Sequence, residues 1–455
     1  MNNNLIILTI ISVIIIIIYN FDYNQFNIWL LNKLLVLRGI LAPNCNWYAI
    51  SDMLLPNDAA GINLYYRYKK IYGDFAPTYM FGKKIYVVTN NDYIRIIMDN
   101  SPNLFSVGNL KISFFKSFME KNVGVSKGCP WKRRRYINEI ALVSDKLHTY
   151  SKKYNNDILN KVTQWKDKSM IKYSDFLNLG KKMVGKIVFN SKNINDDVFK
   201  VFSEANSLKA FSDVNFKIKS ELYNNYIRTL TYYIDNPNPN SLVELCMRTT
   251  SNKEEVLHQI PHFIFPIVGV FATVVPRLLL LLCNHKDVFA KLIEEIHSTN
   301  HYNINNYEDI YKLSYLRKCV LEILRLNNSV VTTFRTLERD YMFDNKYSFK
   351  KGDQFLILNY PVLREKEFFE NPNKFIPSRW TSEMEKSYYA ISFNQGPQKC
   401  PGKELAIYLA QSCIYNLIKV KQIGINQSIS SDEINTENIP QVLNPCKIKF
   451  TFKSI

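Results

Sequence analysis

The chain has 455 residues, 47% of them hydrophobic, and a formal net charge of +18. That length exceeds the usual single-domain size and leaves room to bury a cofactor, and the charge favours acidic partners: anionic lipid, an acidic protein or nucleic acid. Its eight cysteines include no C-x-x-C pair, which argues against a zinc ribbon or a disulfide framework and fits a reducing compartment.

Taken in order, the chain opens with Leu5–Tyr19, LIILTIISVIIIIIY, an almost unbroken apolar run. As a helix it rises about 22 Å, slightly short of the usual span. It lacks a basic leader and a small-residue cleavage site, so an uncleaved anchor is expected rather than a signal peptide. Phe26–Ile40 follows with Lys33 and Arg38. It is expected to lie against the membrane surface, with the body of the protein cytosolic. Residues 1–40 are read as anchor and linker, and 41–455 as the body, with a hinge at Ala42-Pro43. Asn63–Tyr72 reads as a helix, with Tyr65, Tyr68 and Tyr72 on one face. Asp74–Tyr79 and Lys84–Thr89 read as strands joined by a turn at Phe81–Lys83, and Asp92–Asp99 returns to helix.

Cys129–Ile140 is CPWKRRRYINEI. Trp131 and Arg135 are four apart and share a helix face. The basic run Lys132–Arg135 suits solvent or nucleic acid, but the indole N–H and the guanidinium together suit a carboxylate. Residues 145–255 are polar and mostly helical, with a loop at DNPNPNS (Asp235–Ser241). Ile260–Ile296 is expected to hold a long central helix, kinked at Pro266 and Pro276, and the helix after it. Tyr307–Leu326 is an amphipathic helix. Glu322 and Arg325 interrupt its apolar run, so they are expected to be partly buried with Arg379 as a third member. Val330–Thr336 and Lys346–Leu358 read as strands. Ile439–Phe452 reads as a hairpin turning at Asn444-Pro445.

Phe393–Gly402 is FNQGPQKCPG. Gly396 and Gly402 permit a tight backbone path, Pro397 and Pro401 stiffen it, and Phe393 anchors it. Cys400 stands just before a helix, Lys403–Val420. A thiol at a helix N-terminus is favoured as thiolate, and a thiolate backed by backbone donors is a suitable axial ligand for haem iron.

The pattern Phe393, Gly396, Cys400, Gly402 resembles the haem-binding loop of the cytochrome P-450 family. Gln398 departs from it, standing where the family carries Arg or His toward a haem propionate. The Trp131–Arg135 pair resembles the family's haem-edge helix. Glu322, Arg325 and Arg379 resemble its structural triad, and Arg335 falls at another propionate position. The resemblance spans roughly residues 40–455. It implies a mainly α fold with a small β-rich region, the cytochrome P-450 fold, in which residues 41–455 form the haem-binding catalytic domain. It implies haem b on Cys400 with Trp131, Arg135 and Arg335 at its propionates. It further implies NADPH-driven insertion of one oxygen atom of O2 into an apolar, sterol-, fatty-acid- or xenobiotic-like substrate. The same resemblance implies that NADPH-cytochrome P-450 reductase supplies the electrons and that the anchor is expected in the endoplasmic reticulum. Lys132, Arg133, Lys399 and Lys403 are read as a basic docking face for that reductase, and no nucleic-acid partner is expected.

The central helix departs most from the family. PIVGVFATVVPRLLLLL has no carboxylate at the usual acid position, and Thr273 stands one residue late for the usual threonine. Thr273 is either a proton relay or a hydroxyl bonded back to its helix. The missing acid leaves two alternatives: a haem-thiolate hydroperoxide isomerase or dehydratase needing no reductase, and a haem-binding protein without catalysis.

Overall fold

Apolar residues at helical spacing build one core of this protein, and apolar residues at strand spacing build a second. The computed structural model describes residues 60–455 except 81–82, 110, 113–114, 116–118, 143, 168–169, 206–216, 299–306, 329, 331 and 426–447. The expected anchor and hinge at 1–43, and the Asn444-Pro445 turn, lie outside the described residues.

The larger sheet has the order β1 (Phe75–Met80), β2 (Lys83–Val88), β8 (Gln354–Leu358), β5 (Thr332–Leu337), β3 (Phe105–Val107). β2 and β8 run parallel and the other neighbours antiparallel, with Arg335 opposite both Phe355 and Val107. Its core is aromatic. Phe75 stacks on Tyr93 at 5.1 Å between ring centroids and meets Phe343, Phe349 and Phe355 at 6.0 Å or less. Phe343 and Phe349 come from a two-stranded hairpin, β6 (Tyr341–Phe343) and β7 (Tyr347–Phe349). The helix Ala60–Tyr72 lies against β1, burying Tyr65 and Tyr68. A third sheet joins β4 (Met170–Lys172), β10 (Lys449–Ser454) and β9 (Lys421–Ile425), with β10 in the middle.

The helical core is organised around a run from Lys253 to Asn284. In length and composition it would suffice to cross a membrane, but 72% of its apolar window is buried inside the fold, so it is the core helix of this body. It begins earlier than the sequence reading had it. Asn252 Oδ1 accepts the Glu255 N–H at 3.1 Å and starts the helix at Lys253. Instead of a simple kink, the chain forms a π-turn over Val270–Val274, in which the Val275 N–H donates to the Val270 carbonyl. Pro276 has no N–H for Ala272, and its ring crowds that carbonyl; the widened turn accommodates both. The helix Tyr173–Val188 crosses here at close range. A Cβ at Gly180 would stand 3.1 Å from the Val268 carbonyl oxygen and 3.3 Å from the Phe271 Cβ. Phe271 therefore points into the helical core and not toward the open side of the central helix.

The expected helix Tyr307–Leu326 is two: Tyr307–Tyr311 and Ser314–Leu326. The helix Lys403–Val420 has the expected bounds and is buried along most of its length.

Candidate active site

The loop preceding Lys403–Val420 is built from two short 3-10 turns, Ile391–Phe393 and Gly396–Gln398. Gly396 has φ +68°, and a Cβ there would overlap the Met98 carbonyl, so only glycine fits. The Cys400 N–H donates to the Phe393 carbonyl at 2.8 Å, which closes the loop and fixes the thiol. Phe393 packs against the helical core. Burial pushes the Cys400 thiol above its ordinary value, while the Gly402 N–H and the Arg135 charge pull the other way. Gly402 occupies the N-cap of the following helix. The site thus tempers a buried thiolate with one donor and one cation, and a metal cation would supply the rest.

Trp131 and Arg135 lie on the helix Gly128–Leu142, and both are buried. Arg135 Nη1 donates to the Lys399 carbonyl at 2.7 Å, next to Cys400, and Nε donates to Glu139 at 2.7 Å. The intervening basic residues do not all face outward as the sequence reading had them. Arg133 Nε donates to Glu255 Oε2 at 2.6 Å, and Arg134 Nε to Glu255 Oε1 at 3.3 Å. Arg134 is only 12% exposed. Lys403 is also engaged, on Glu385 at 3.0 Å. Of the expected docking cations, Lys132 and Lys399 are exposed, and Arg133 is exposed but paired.

Arg335 reaches in from β5. It is buried, and it donates to Ser101 Oγ at 3.0 Å and to the Phe334 carbonyl at 2.9 Å. Both acceptors are neutral, and burial brings the guanidinium down to about 10. Beside it is Lys111, which burial and the Arg335 charge bring down to about 8. His262, on the central helix, completes the group. Asn122 Oδ1 already accepts the Gly124 N–H at 2.7 Å, and Asn122 Nδ2 donates to the His258 carbonyl at 2.7 Å. The 3.0 Å contact from His262 Nδ1 to Asn122 Oδ1 must therefore be a donation from the ring. Burial, then Lys111, then Arg135 hold His262 down at about 4, so it is neutral with Nε2 unprotonated.

Sequence reasoning missed Lys111 and His262, and the polar staple beside them. Gln259 Oε1 accepts from the Val123 N–H at 2.9 Å and from Asn138 Nδ2 at 3.0 Å, while Nε2 donates to the Lys121 and Glu255 carbonyls. This ties the 121–125 segment, the Trp131 helix and the central helix together. The one hint was HQIPH, two histidines a turn apart in an apolar stretch. Lys111 gave no signal, because a single lysine outside any motif looks like surface.

On the central helix, a Cβ at Gly269 would meet nothing within 4 Å, so the helix borders open space there. Thr273 lies on the same side, four residues on. Its Oγ1 donates to the Gly269 carbonyl at 2.7 Å, the bonded-back arrangement. Two lone pairs on Oγ1 remain to accept.

Glu322, Arg325 and Arg379 meet beneath the cysteine loop. Arg325 Nη2 lies 2.8 Å from Glu322 Oε1 with both side chains fully buried, and Arg379 Nε lies 3.1 Å from the same oxygen. Trp380 Nε1 donates to Glu322 Oε2 at 2.9 Å, a fourth member that the sequence reading did not include. Arg325 also donates to the carbonyls of Leu363 and Pro372, at 2.9 and 2.6 Å. Burial pushes the Glu322 carboxyl up, but the Arg325 charge and its hydrogen bond, with Arg379, bring it below the ordinary value.

A haem fits what is present. A cysteine on a glycine-dependent loop carries one donor to its sulfur. Open space borders Gly269. Arg335, which is buried, and Lys111, which is partly buried, have no acid partner among the described residues, and they suit a flat, largely apolar group that carries two carboxylates.

Comparison with known proteins points to one family and fold. Residues 198–420 match the family model for Cytochrome P450. Cytochrome P450 52C1 of Candida tropicalis is 30% identical over 183 residues, 37% of this chain and 36% of the relative. Beta-amyrin 28-monooxygenase of Solanum lycopersicum is 32% identical over 135 residues, 30% of this chain and 28% of the relative. The chain thus covers little more than a third of the length of these relatives, or less. A solved structure, the retinoic acid-bound cyanobacterial CYP120A1, superposes with a TM-score of 0.69 at 16% identity, covering 86% of this chain and 94% of the other.

Proposed function

Since the chain belongs to the cytochrome P450 family, we propose that it is a haem-thiolate monooxygenase that inserts one oxygen atom of O2 into an apolar substrate. Cys400 Sγ would hold the iron, with the Gly402 N–H moderating the charge on sulfur. Arg135 and Arg335, with the Trp131 indole, would hold the haem carboxylates. When bound there, the haem supplies the oxygen-activating chemistry. The protein orients the substrate, excludes water and handles protons. Gly269 leaves room on the open side of the central helix, and the buried Val270 and Ala272 keep its neighbourhood dry. Thr273 Oγ1 is the proton-handling atom, holding a proton on the Gly269 carbonyl while its lone pairs accept another. A relative named for beta-amyrin oxidation supports an apolar, polycyclic-sized substrate.

Residues 1–40 are proposed as the anchor, with residues 41–455 forming the catalytic domain on the cytosolic side of the endoplasmic reticulum. Lys132 and Lys399, on the exposed face near the cysteine loop, are proposed to meet an acidic NADPH-dependent reductase.

The observation that carries the reading is Cys400 fixed on a glycine-dependent loop, with the Gly402 N–H at its sulfur and the buried Arg135 beside it. Its test is the carbon monoxide difference spectrum of the reduced protein and of Cys400→Ala. A red-shifted Soret band in the wild type, lost in the variant, is expected. An imidazole-type band, or no haem, would overturn the reading. A second reading, hydroperoxide isomerase or dehydratase, is favoured by the absence of any acid in Val270–Val274. It predicts turnover of a lipid hydroperoxide without NADPH, undiminished in Thr273→Ala. The monooxygenase predicts NADPH-dependent turnover that Thr273→Ala lowers by about 10²-fold, with NADPH oxidation uncoupled from product.

A further inference from the structure

Cations normally accompany buried anions, because an unpaired buried charge loses its hydration without return. The group formed by the buried Arg335 and Arg135 with the partly buried Lys111 and His262 departs from that rule. The Arg135 charge is met by Glu139 at 2.7 Å. Glu338, just beyond β5, is taken by Lys127 at 2.8 Å. Arg335 bonds only to neutral oxygens, and Lys111 has no hydrogen bond or ion pair among the described residues. Arg335 and Lys111 are thus left without a counter-charge among the described residues, and the carboxylates of a haem would supply it.

The backbone explains why Lys111 stands where it does. β3 ends at Val107, opposite Arg335. The Gly108 N–H donates to the Phe334 carbonyl at 3.3 Å, and a Cβ at Gly108 would overlap Phe334, so this crossing needs glycine. The Asn109 N–H donates to Thr336 Oγ1 at 3.0 Å, and the Ile112 N–H to the Gly108 carbonyl at 3.1 Å. Lys111 is therefore carried on a turn fastened to β5, next to Arg335. In the cysteine loop, Gln398 supplies no charge two residues before Cys400.

We infer that Lys111 pairs with one haem carboxylate and stands in for the cation missing at position 398. The inference rests on the haem reading above and adds to it a positioning residue that the cysteine-loop pattern does not contain. It also makes sense of His262. A neutral ring with Nε2 unprotonated adds no further positive charge to the group.

The test is the rate at which purified haem-loaded protein gives up haem to excess apomyoglobin, followed by the Soret band. Lys111→Met is expected to lose haem about tenfold faster, which corresponds to about 1.4 kcal/mol. Lys111→Arg should stay within about twofold of wild type, since it keeps the charge. Lys111→Met combined with Gln398→Arg should regain most of the difference, because the charge returns from the cysteine loop. A lysine with only a packing role would not be rescued from position 398. If Lys111→Met does not fold, Lys111→Gln takes its place under the same expectations. Unchanged haem loss in the single variant, or no rescue in the double, overturns the inference. A wild type without a thiolate-type band would overturn the haem reading itself. A normal wild-type band with an unaffected Lys111→Met would overturn only this step.

Discussion

Glu322 gathers a dense set of interactions at a single residue. Its two oxygens accept from Arg325, Arg379, Trp380 and the Ile376 N–H, all in a fully buried setting. Removing one partner of such a set leaves charge stranded. Glu322→Gln is expected to lose about 3–5 kcal/mol in urea unfolding at pH 7. Its folded carboxyl is held below the ordinary 4.5, so the stabilisation is complete above that value and fades as pH falls through the folded value. The gap between wild type and Glu322→Gln should therefore narrow below pH 4.5 and not above it. Gly396 makes a second, steric prediction. Gly396→Ala meets a positive φ and the Met98 carbonyl together, and should cost at least about 1 kcal/mol and lower the fraction of protein that retains haem. Both residues were visible in the sequence, because each belongs to a short motif whose residues constrain one another locally. Trp380 was not, since nothing in the stretch NPNKFIPSRW says which way an indole turns.

At the level of elements, the central helix shows how far local reading reaches. Its apolar length and its prolines were plain, yet no residue spells a π-turn. That turn follows from Pro276 and the tight crossing at Gly180 acting together, and the second lies about ninety residues away in sequence. Gly180→Leu is expected to push the Tyr173–Val188 helix off the central helix at a cost of about 1–3 kcal/mol, with a weaker Soret band as a second readout. The staple at Gln259 was equally hidden, since its four partners come from three elements. Gln259→Leu leaves the Val123 N–H without its acceptor and Asn138 Nδ2 with only the Arg134 carbonyl. With a stranded group costing about 1–3 kcal/mol, the variant should melt well below wild type. By contrast, the helix after the cysteine loop could be bounded at Lys403 and Val420 from the sequence, because Pro401 and Gly402 mark its start and its apolar pattern runs unbroken.

On the scale of the whole molecule, the order of strands was the least legible feature. β8 lies between β2 and β5, so segments separated by about 270 residues share hydrogen bonds. Such pairing is set by tertiary packing and not by any local signal. The charge balance is similarly distributed. The sequence has a formal net charge of +18, and several cations near the cysteine loop are already spoken for by Glu255 and Glu385. Partner association through Lys132 and Lys399 should consequently depend on salt only modestly. Lys132→Glu with Lys399→Glu should slow reductase-driven reduction about tenfold at low ionic strength, leaving the carbon monoxide spectrum unchanged.

The third sheet has a consequence for the time at which the protein is finished. β10 is its middle strand, and it pairs with β4 across roughly 280 residues of chain. At a synthesis rate of about 5–20 residues per second, β4 leaves the ribosome tens of seconds before the strand that completes it. During that interval Ile171, Phe176 and Trp165 lack Phe450 and Phe452, the rings that later cover them. The helical body must therefore be held with an unpaired strand and an open aromatic face until its closing strand is made. This gives folding factors a window in which to act, and it makes a ribosome stall before residue 449 an event that yields a sticky, incomplete product.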